Sequence, residues 1–342
     1  MKKVTIHDIA RELNITFSTV ARALNDNPAI SEATKKAVKE TAKRLNYRQN
    51  KLASSLRSGR SNIIGIIVPS LDVSFFSSVV HGIEKIINQY GYSVLLYQSN
   101  ESFNQETKGI ETFLQSRVDG ILASVSIETT DYEYYEEIKK RKVPLLLFDR
   151  DLKELNVPAV TVDDYRGGFI ATEHLIKKGY TRIVHLGSNQ NLSIFKERER
   201  GYADALKFHN IPVNEDLIIK GKLSVEFGRE AIHQLILPGQ SFDAVFAQED
   251  FTGLGAMQQL KESGIKVPEE IGVIGFANEA FGAYVSPALS TIDQQTIRMG
   301  EEVALLFMRM LKDENPEPVI PEKKVLDPIL IERESTNRIA IK

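Results

Sequence analysis

The sequence predicts a small all-α head followed by a larger α/β core of two lobes. Apolar residues in the first 45 positions follow helical spacing, whereas from Ile63 onward short apolar runs alternate with amphipathic helices. That alternation is typical of parallel sheets flanked by helices. A third observation is an internal echo: Tyr90-Gly91-Tyr92 and Gly179-Tyr180 each end a helix before a strand. The echo indicates two similar lobes with a cleft between them, where ligands bind at the carboxyl ends of the strands.

The composition excludes several classes of function. None of the 342 residues is cysteine, so the sequence carries no disulfide, thiolate nucleophile or cysteine zinc site. The N-terminus has charged residues such as Asp8 and Arg11 where a signal peptide has an apolar run, and no apolar stretch is long enough to cross a membrane. We therefore expect a cytoplasmic protein without cofactor, metal ion or membrane partner.

Charge is divided unevenly along the chain. Residues 1–60 hold 13 Lys and Arg against 5 acidic residues, whereas the whole chain has 43 against 46. A basic segment attracts polyanions and an acidic body repels them. The division favours nucleic acid bound at one end of the chain only, with a merely solvated basic helix as the alternative.

The head reads as three helices over residues 1–48. Thr5 stands in N-cap position with Asp8 three residues later, close to a capping box, and begins a helix that ends near Leu13. A second helix runs from about Phe17 to Asn25, and a third follows from Ser31 to Leu45. We place Ala21 on the polar side of the second helix. Two short helices joined by a few residues form a helix-turn-helix.

A polar linker, residues 49–61, follows the head. It carries one short helical stripe at Leu52 and Leu56. Because an isolated helix of this length is mostly unfolded in water, we expect it to fold on a partner or on DNA.

The core, residues 62–342, supplies the strands of the α/β fold. The predicted strands are Ile63–Val68, Ser93–Gln98, Gly120–Val125, Leu145–Asp149, Ala159–Val162, Arg182–Gly187, Ala244–Gln248 and Gly272–Phe276. Their regular alternation with helices supports the two-lobed architecture.

Signatures of enzymes are scarce. The sequence has no Walker loop, no His-Glu-x-x-His and no Gly-x-Ser-x-Gly motif. Acidic pairs that a glycosidase would need do stand at strand ends, at Asp149/Asp151, Asp163/Asp164 and Glu249/Asp250. Acids at strand ends also cap helices and bind sugar hydroxyls, so we expect no catalysis. A binding protein without DNA function and a sugar-processing enzyme stay open as alternatives.

An ordered series of motifs resembles the LacI/GalR family of bacterial transcription regulators along the whole chain. The series consists of Val4-Thr-Ile-His-Asp-Ile-Ala, Ser18-Thr-Val-Ala-Arg-Ala-Leu-Asn25, Leu45-Asn-Tyr47, Leu52-Ala-x-x-Leu56, Gly65-Ile-Ile-Val-Pro69, Phe148-Asp-Arg150, Gly167-Gly168, Arg198-x-x-Gly-Tyr202, Ile274-Gly-Phe276 and Leu289-x-Thr-Ile292-x-Gln294. The resemblance implies a helix-turn-helix head on a core like the periplasmic sugar-binding proteins. It also implies lobes of about 62–162 with 294–323 and 163–293 with 324–342.

The resemblance implies roles for residues of the head. Base edges in the major groove would be contacted by Phe17, Ser18 and Arg22, whose chemistry suits thymine methyls and guanine. Phosphates would be contacted by Thr5, Thr16, Thr19 and Asn25. Thr5 and Thr16 are also candidate helix caps, and we expect them to do both. Ala21 stands where the family usually has serine, which removes one phosphate contact.

Leu56 matches the family's hinge leucine, which enters the central minor groove when two subunits sit on a palindrome. An apolar wedge there unstacks and kinks a base step, so a flexible pyrimidine–purine centre is expected. The alternative is that Leu52 and Leu56 only pack two hinge helices together.

The resemblance also implies an effector between the lobes. Matching positions are Phe75 and Phe76, on the loop after the first strand, together with Arg150, Asp163, Arg198, Glu249 and Gln294. Asp250 reads as a structural helix cap rather than a cleft residue. Ala277 stands where the family commonly has an aspartate that binds sugar hydroxyls. The loss of that acceptor slightly favours a sugar acid or sugar phosphate as the effector, held by Arg150 and Arg198, with Lys196 as a further candidate for binding the anion.

Two other features weaken the preference for an acidic effector. Asn278 or Glu279 would be able to replace the lost acceptor, and Asp149 or Asp151 would be able to neutralise an arginine.

Taken as a whole, the sequence predicts a homodimeric operator-binding regulator, a repressor of carbohydrate uptake or catabolism genes, controlled by a carbohydrate-derived effector. The helix over Met299–Lys312 is apolar enough to face a partner subunit as well as the core.

Overall fold

The structure, a computed structural model, describes residues 4–47, 60–72, 74–237, 241–312 and 322–338. The chain separates into two compact units, Met1–Ser61 and Asn62–Lys342. The first is all-α and the second is α/β with parallel sheets, which confirms the predicted fold class.

The head consists of α1 (Ile6–Glu12), α2 (Phe17–Leu24) and α3 (Glu32–Arg44). The Thr16 and Ser31 side chains accept hydrogen bonds from the N–H groups of Thr19 and Thr34 and so cap α2 and α3. The helices close over a small apolar core formed by Ile9, Ala10, Val20, Ala23, Val38 and Ala42. Local capping and the 3.6-residue period therefore account for the head's helices.

The first lobe is a six-stranded parallel sheet in the order β11-β5-β4-β3-β1-β2. Its strands are β1 (Ile63–Val68), β2 (Ser93–Gln98), β3 (Gly120–Ala123), β4 (Leu145–Phe148), β5 (Ala159–Val162) and β11 (Lys323–Leu326). Its helices are α4 (Ser74–Ile87), α5 (Phe103–Gln115), α6 (Glu133–Lys140) and α11 (Thr296–Lys312). Two apolar clusters lie on this sheet, which is why strands such as β1 read as continuous apolar runs.

The second lobe is a four-stranded parallel sheet in the order β7-β6-β8-β9. Its strands are β6 (Ile183–Ser188), β7 (Ile218–Gly221), β8 (Ala244–Ala247) and β9 (Gly272–Ile274). Its helices are α7 (Asp164–Lys177), α8 (Ser193–Phe208), α9 (Val225–Ile236) and α10 (Asp250–Glu262). Two apolar clusters lie on this sheet as well, one with side chains of α9 and α10 and the other with side chains of α7 and α8.

The chain crosses between the lobes after β5, after β10 (Thr291–Asp293) and between β11 and β12 (Ile329–Ile331). β10 and β12 pair antiparallel. All of β11 pairs with β5 of the first lobe, so that lobe extends to Leu326 and not only to residue 323 as expected. β11 begins with Lys323 and Lys324 at the edge of the sheet, so it lacks the continuous apolar run by which the predicted strands were found. The short strands β7, β10 and β12 were not predicted either.

α11 packs mainly against α4 in the first lobe. Its Val303, Leu306 and Met308 are buried in the same cluster as the α4 side chains, whereas Leu305 is 42% exposed. Most of the apolar face expected to be shared with a partner subunit is therefore used by the core.

Candidate functional site

α2 presents the side chains expected to contact base edges. Phe17 is 54% exposed at its first position, and Ser18 and Arg22 are exposed as well. Within residues 4–47, the Arg22 guanidinium has no hydrogen-bond or ion-pair partner. His7 of α1 packs on Phe17 with the ring centres 5.3 Å apart, a contact that the sequence interpretation missed. The α2 surface therefore presents the Phe17 ring, which packs on His7, and the Arg22 guanidinium, which has no partner within residues 4–47.

Thr5 and Thr16 occupy the N-cap positions of α1 and α2, and Thr19 lies in the first turn of α2. Asp8 accepts hydrogen bonds from both the N–H and the hydroxyl of Thr5, at 2.8 and 2.7 Å. The hydroxyls of Thr16 and Thr19 lie 2.9 Å apart, and one donates to the other. One hydroxyl proton of that pair stays available for an external acceptor such as a phosphate.

Two positions of the head need comment. Ala21 is only 9% exposed, so its placement on the polar side of the second helix was wrong: the small side chain packs against the head. Asn25 is exposed and follows the last turn of α2. Leu56 and the rest of the hinge stripe lie outside the described residues.

Arg150 of the first lobe follows β4 at the cleft, and its guanidinium is already engaged. Both of its terminal nitrogens donate to the carboxylate of Glu101 at 2.8 Å, and one also donates to the Val125 carbonyl at 2.9 Å. Its Nε is buried without a hydrogen-bond partner in the described chain and lies 3.7 Å from Asp149. The sequence interpretation missed Glu101, although its position just after β2 is itself a strand-end signal.

The acids beside Arg150 have different roles. Asp149 is buried, and burial raises its pKa although Arg150 and Arg198 favour its charged form. Asp151 instead pairs with Lys323 at 2.7 Å. Neutralisation of Arg150 therefore comes from Glu101, with Asp149 close by and Asp151 turned elsewhere.

Arg198 of α8 is the corresponding group of the second lobe and is only 5% exposed. It donates to Asp164 at 2.8 Å, to the Gln248 carbonyl at 2.9 Å and to the Gln294 side chain at 3.2 Å. Its guanidinium carbon lies 3.7 Å from the centre of the Phe276 ring. Arg198 and Gln294, two members of the expected effector contact set, are thus hydrogen-bonded to each other.

Burial dominates the electrostatics around Arg198. It raises the pKa of Asp164 to about 6, although the adjacent Arg198 opposes the shift. Helices α7 and α8 approach closely here: a Cβ on Gly168 would lie 2.1 Å from the Arg198 carbonyl oxygen. Gly168 therefore lets α8 come near enough to α7 for Arg198 to reach Asp164.

Asp163 and Glu249, the two acids of the expected effector contact set, differ in whether the side chain has a hydrogen-bond partner among the described residues. Asp163 caps α7 by accepting from the Arg166 N–H at 2.8 Å. The Glu249 side chain has no hydrogen-bond or ion-pair partner among the described residues. Burial raises its pKa, Arg198 opposes that shift, and Glu279 adds to it. Glu249 therefore lies within the electrostatic influence of Arg198 and Glu279.

Phe75 and Phe76 lie in the first turn of α4 rather than on a loop as expected. Both are buried, and their rings meet edge to face at 5.0 Å. The Phe76 ring centre lies 5.8 Å from the Arg150 guanidinium carbon. Next to them, the Ser74 hydroxyl donates to the Glu279 carboxylate at 2.6 Å and so connects the two lobes.

Asp250 has a structural role, but it is not the helix cap that the sequence indicated, because Glu249 occupies the N-cap position of α10. Asp250 accepts from the Thr291 hydroxyl and the Glu279 N–H, both at 2.7 Å. Burial raises its pKa to about 7 against the effect of those hydrogen bonds. Asn278 is engaged too, since Arg333 donates to its side-chain oxygen at 2.7 Å. Asn278 therefore does not stand free to replace the acceptor that Ala277 lacks.

Lys196 lies away from these groups. It lines a cavity of about 370 Å³ beside β7, together with Glu199 and Lys220, which pair at 2.8 Å. Among the described residues, no group of His, Asp and Glu has a metal-binding arrangement. Over the same part of the chain, every helix is too short or too polar to span a membrane.

The comparisons with known proteins agree with this arrangement. Residues 61–329 match the family described as periplasmic binding proteins and sugar binding domain of LacI family, and residues 5–50 match bacterial regulatory proteins, lacI family. The regulator DegA of Bacillus subtilis is 30% identical over 98% of both chains. The regulator RegA of Clostridium acetobutylicum is 34% identical over 97% of this chain and 98% of its own.

Solved structures are similar as well. The transcriptional regulator CelR in complex with cellobiose is 28% identical, with a TM-score of 0.73 over 97% of this chain and 100% of its own. The lac repressor dimer bound to operator and the anti-inducer ONPF has a TM-score of 0.87 over 98% of this chain and 99% of its own, and at 23% identity it supports the fold alone. The chain therefore belongs to the LacI family of bacterial regulatory proteins and is a DNA-binding transcriptional regulator rather than an enzyme.

Proposed function

We propose that this protein binds a palindromic operator as a homodimer and represses genes of carbohydrate uptake or catabolism in the cytoplasm. The observation that carries the proposal is the surface of α2, where Phe17 is exposed beside the Arg22 guanidinium, which has no partner among the described residues of the head. The basic head would be attracted to DNA, and the acidic body would not.

Within that function, Phe17, Ser18 and Arg22 contact base edges. The phosphate contacts come from Thr5, Thr16, Thr19 and Asn25. The Thr16–Thr19 hydroxyl pair supports this division because it keeps one donor free. Leu56 is the minor-groove wedge in this proposal.

The small-molecule effector binds between the lobes, and its class is carbohydrate-derived. The contact set is Phe75, Phe76, Arg150, Asp163, Arg198, Glu249 and Gln294. What supports the cleft as the control site is that Ser74 and Glu279 connect the lobes beside it. A ligand that favours one separation of the lobes over the other shifts their equilibrium by its difference in affinity.

Selection from random DNA duplexes tests the proposal. Full-length protein at fixed salt is expected to enrich a palindrome with a pyrimidine–purine step at its centre. The same selection is run with small molecules extracted from the source cells, because a corepressor would be needed if the effector recruits the protein to DNA. Failure to enrich any site in both selections would refute operator binding.

A further inference from the structure

A hydrogen bond between Ser74 and Glu279 joins the two lobes directly. The Ser74 hydroxyl, on the first residue of α4 in the first lobe, donates at 2.6 Å to the carboxylate of Glu279 in the second lobe. Arg198 also bonds across the lobes, but its partner Gln294 directly follows β10, on a segment where the chain crosses. Ser74 and Glu279 lie on none of the crossing segments, so their bond is a contact between the lobes themselves.

The loop before Glu279 is held in a strained conformation. Ala277 and Asn278 both have positive φ angles, of 124° and 56°. A positive φ strains a residue other than glycine, and it persists where the surroundings over-determine the backbone. The Asn278 N–H donates to the Thr291 hydroxyl at 3.1 Å, and its side-chain amide donates to Asp293 at 3.3 Å. Side chains of the second lobe thus hold the loop that presents Glu279 to α4.

The Glu279 carboxylate depends on the donors that surround it. Glu279 is only 6% exposed, and a buried carboxylate is costly unless hydrogen bonds compensate it. Ser74 supplies one such donor, and it stands at the N-terminus of a 14-residue helix, whose dipole favours a negative charge there. Without the hydroxyl, the carboxylate needs water in its place, and water reaches a group between the lobes when they are further apart. Loss of the bond should therefore favour a wider separation of the lobes.

Both ends of the bond are next to residues of the expected effector contact set. Ser74 directly precedes Phe75 in the chain. The Glu279 N–H donates at 2.7 Å to Asp250, which directly follows Glu249. A ligand that contacts Phe75 or Glu249 therefore acts within one residue of a group that positions the bond.

We propose that the Ser74–Glu279 bond is an interlobe latch. It holds the lobes in the described arrangement, and the separation that it sets determines the affinity for operator DNA. Ser74 and Glu279 act by positioning the lobes, without contacting the effector. Glu279 is then engaged, like Asn278, and does not stand free to replace the acceptor that Ala277 lacks. The inference rests on the proposed control of operator binding through the lobes.

A distance measured between the lobes tests the latch without any effector. The chain has no cysteine, so Glu111→Cys on α5 and Glu230→Cys on α9 give two unique sites for spin labels, both exposed and one in each lobe. Double electron–electron resonance is recorded on the full-length chain, diluted with an excess of unlabelled protein so that distances within one chain dominate. Ser74→Ala is expected to move the mean distance by more than about 2 Å, the size of a domain rearrangement.

Two matched variants connect the shift to the bond. Ser77→Ala removes a hydroxyl one turn further along α4, whose hydrogen bond to the Ser74 carbonyl at 2.9 Å stays inside the first lobe. Ser74→Thr keeps a hydroxyl at the latch itself. Both variants should keep the wild-type distances, and far-UV circular dichroism checks that every variant is folded.

Operator affinity connects the latch to function. Ser74→Ala should change the affinity for the selected operator, measured without effector, by about threefold or more. In a Glu279→Ala background the same substitution should have no further effect, because the partner of the hydroxyl is already gone. Ser77→Ala should bind the operator as the wild type does.

The outcomes separate the latch from the function on which it rests. Wild-type distances in Ser74→Ala, or an equal shift in Ser77→Ala, overturn the latch and leave operator binding standing. A shifted distance with unchanged operator affinity overturns the control of DNA binding by the latch. If the wild type binds no selected operator, the proposed function fails, whereas the distances still decide whether the bond holds the lobes.

Discussion

The α2 surface and the interlobe cleft use arginine in opposite ways. Arg22 is exposed and has no partner within residues 4–47, whereas Arg198 is 5% exposed and donates to Asp164, Gln248 and Gln294. A surface that contacts DNA benefits from free donors because the nucleic acid supplies their partners. The cleft arginine instead belongs to a buried network in which the protein itself supplies the partners. Substitutions should therefore separate function from stability in the head and change both in the cleft.

Arg198→Ala is the strongest test of the cleft side of this comparison. The change leaves buried Asp164 without its ion-pair partner and opens a hole against Phe276. Removal of one member of a buried pair costs about 3–5 kcal/mol. We expect a loss of that size in the free energy of unfolding, measured from urea transitions followed by far-UV circular dichroism.

Arg200→Ala is the matched control on the same helix. The Arg200 side chain is 57% exposed and pairs with Glu197 one turn away. Exposed pairs contribute about 0–1 kcal/mol, so this variant should unfold close to the wild type. Equal losses for the two variants would show that the Arg198 network does not contribute specifically to the stability of the core.

Arg22→Ala tests the head side. A bidentate contact to guanine contributes about 1–3 kcal/mol of discrimination, so base preference should relax at one position in each half-site. Stability should change by less than about 0.5 kcal/mol because the side chain is exposed and unpaired. The measurements are affinities for a set of single-base operator variants at one salt concentration, beside urea transitions.

The pattern of losses distinguishes base contact from phosphate contact. If Arg22→Ala weakens binding equally on every operator variant, the arginine contacts the backbone and not a base. A loss of stability comparable to that of Arg198→Ala would contradict the comparison itself.

Local chemistry explains why much of the head and most strands could be predicted. The caps at Thr16 and Ser31 act over three residues, and parallel strands buried on both faces read as apolar runs. Four short strands, β7, β10, β11 and β12, were not predicted. β11, for example, is a strand at a sheet edge that begins with two lysines and lacks that pattern. Ala21 was misplaced because a small side chain fits either face of a short helix.

The family resemblance named candidate cleft residues but not the contacts among them. Arg150 and Arg198 were named from that resemblance, whereas the pairing of Arg150 with Glu101 joins the ends of different strands. Such a pairing depends on strand order and helix contacts, which sequence spacing does not contain. The expectation of an anionic effector considered Asp149 and Asp151 as partners of an arginine but not Glu101.

Asp250→Asn tests how burial affects a carboxyl group at the start of α10, and its expected effect on the free energy of unfolding is smaller than that of Arg198→Ala. Burial raises the pKa of Asp250 to about 7 from its ordinary 3.8. Between these values the folded state holds a proton that the unfolded state has lost, so folding stability falls as pH rises through this range. The contribution is about 1 kcal/mol per pH unit for one such group.

We expect Asp250→Asn to flatten the decline in unfolding free energy between pH 5.5 and pH 7.5 by about that amount per unit, whereas Asp72→Asn at an exposed position should keep the wild-type slope. Because buried Asp164, with a pKa raised to about 6, contributes in the same direction, part of the slope should survive in Asp250→Asn. An unchanged slope in that variant would mean that Asp250 stays ionised in the fold, held by Thr291 and the Glu279 N–H against the effect of burial.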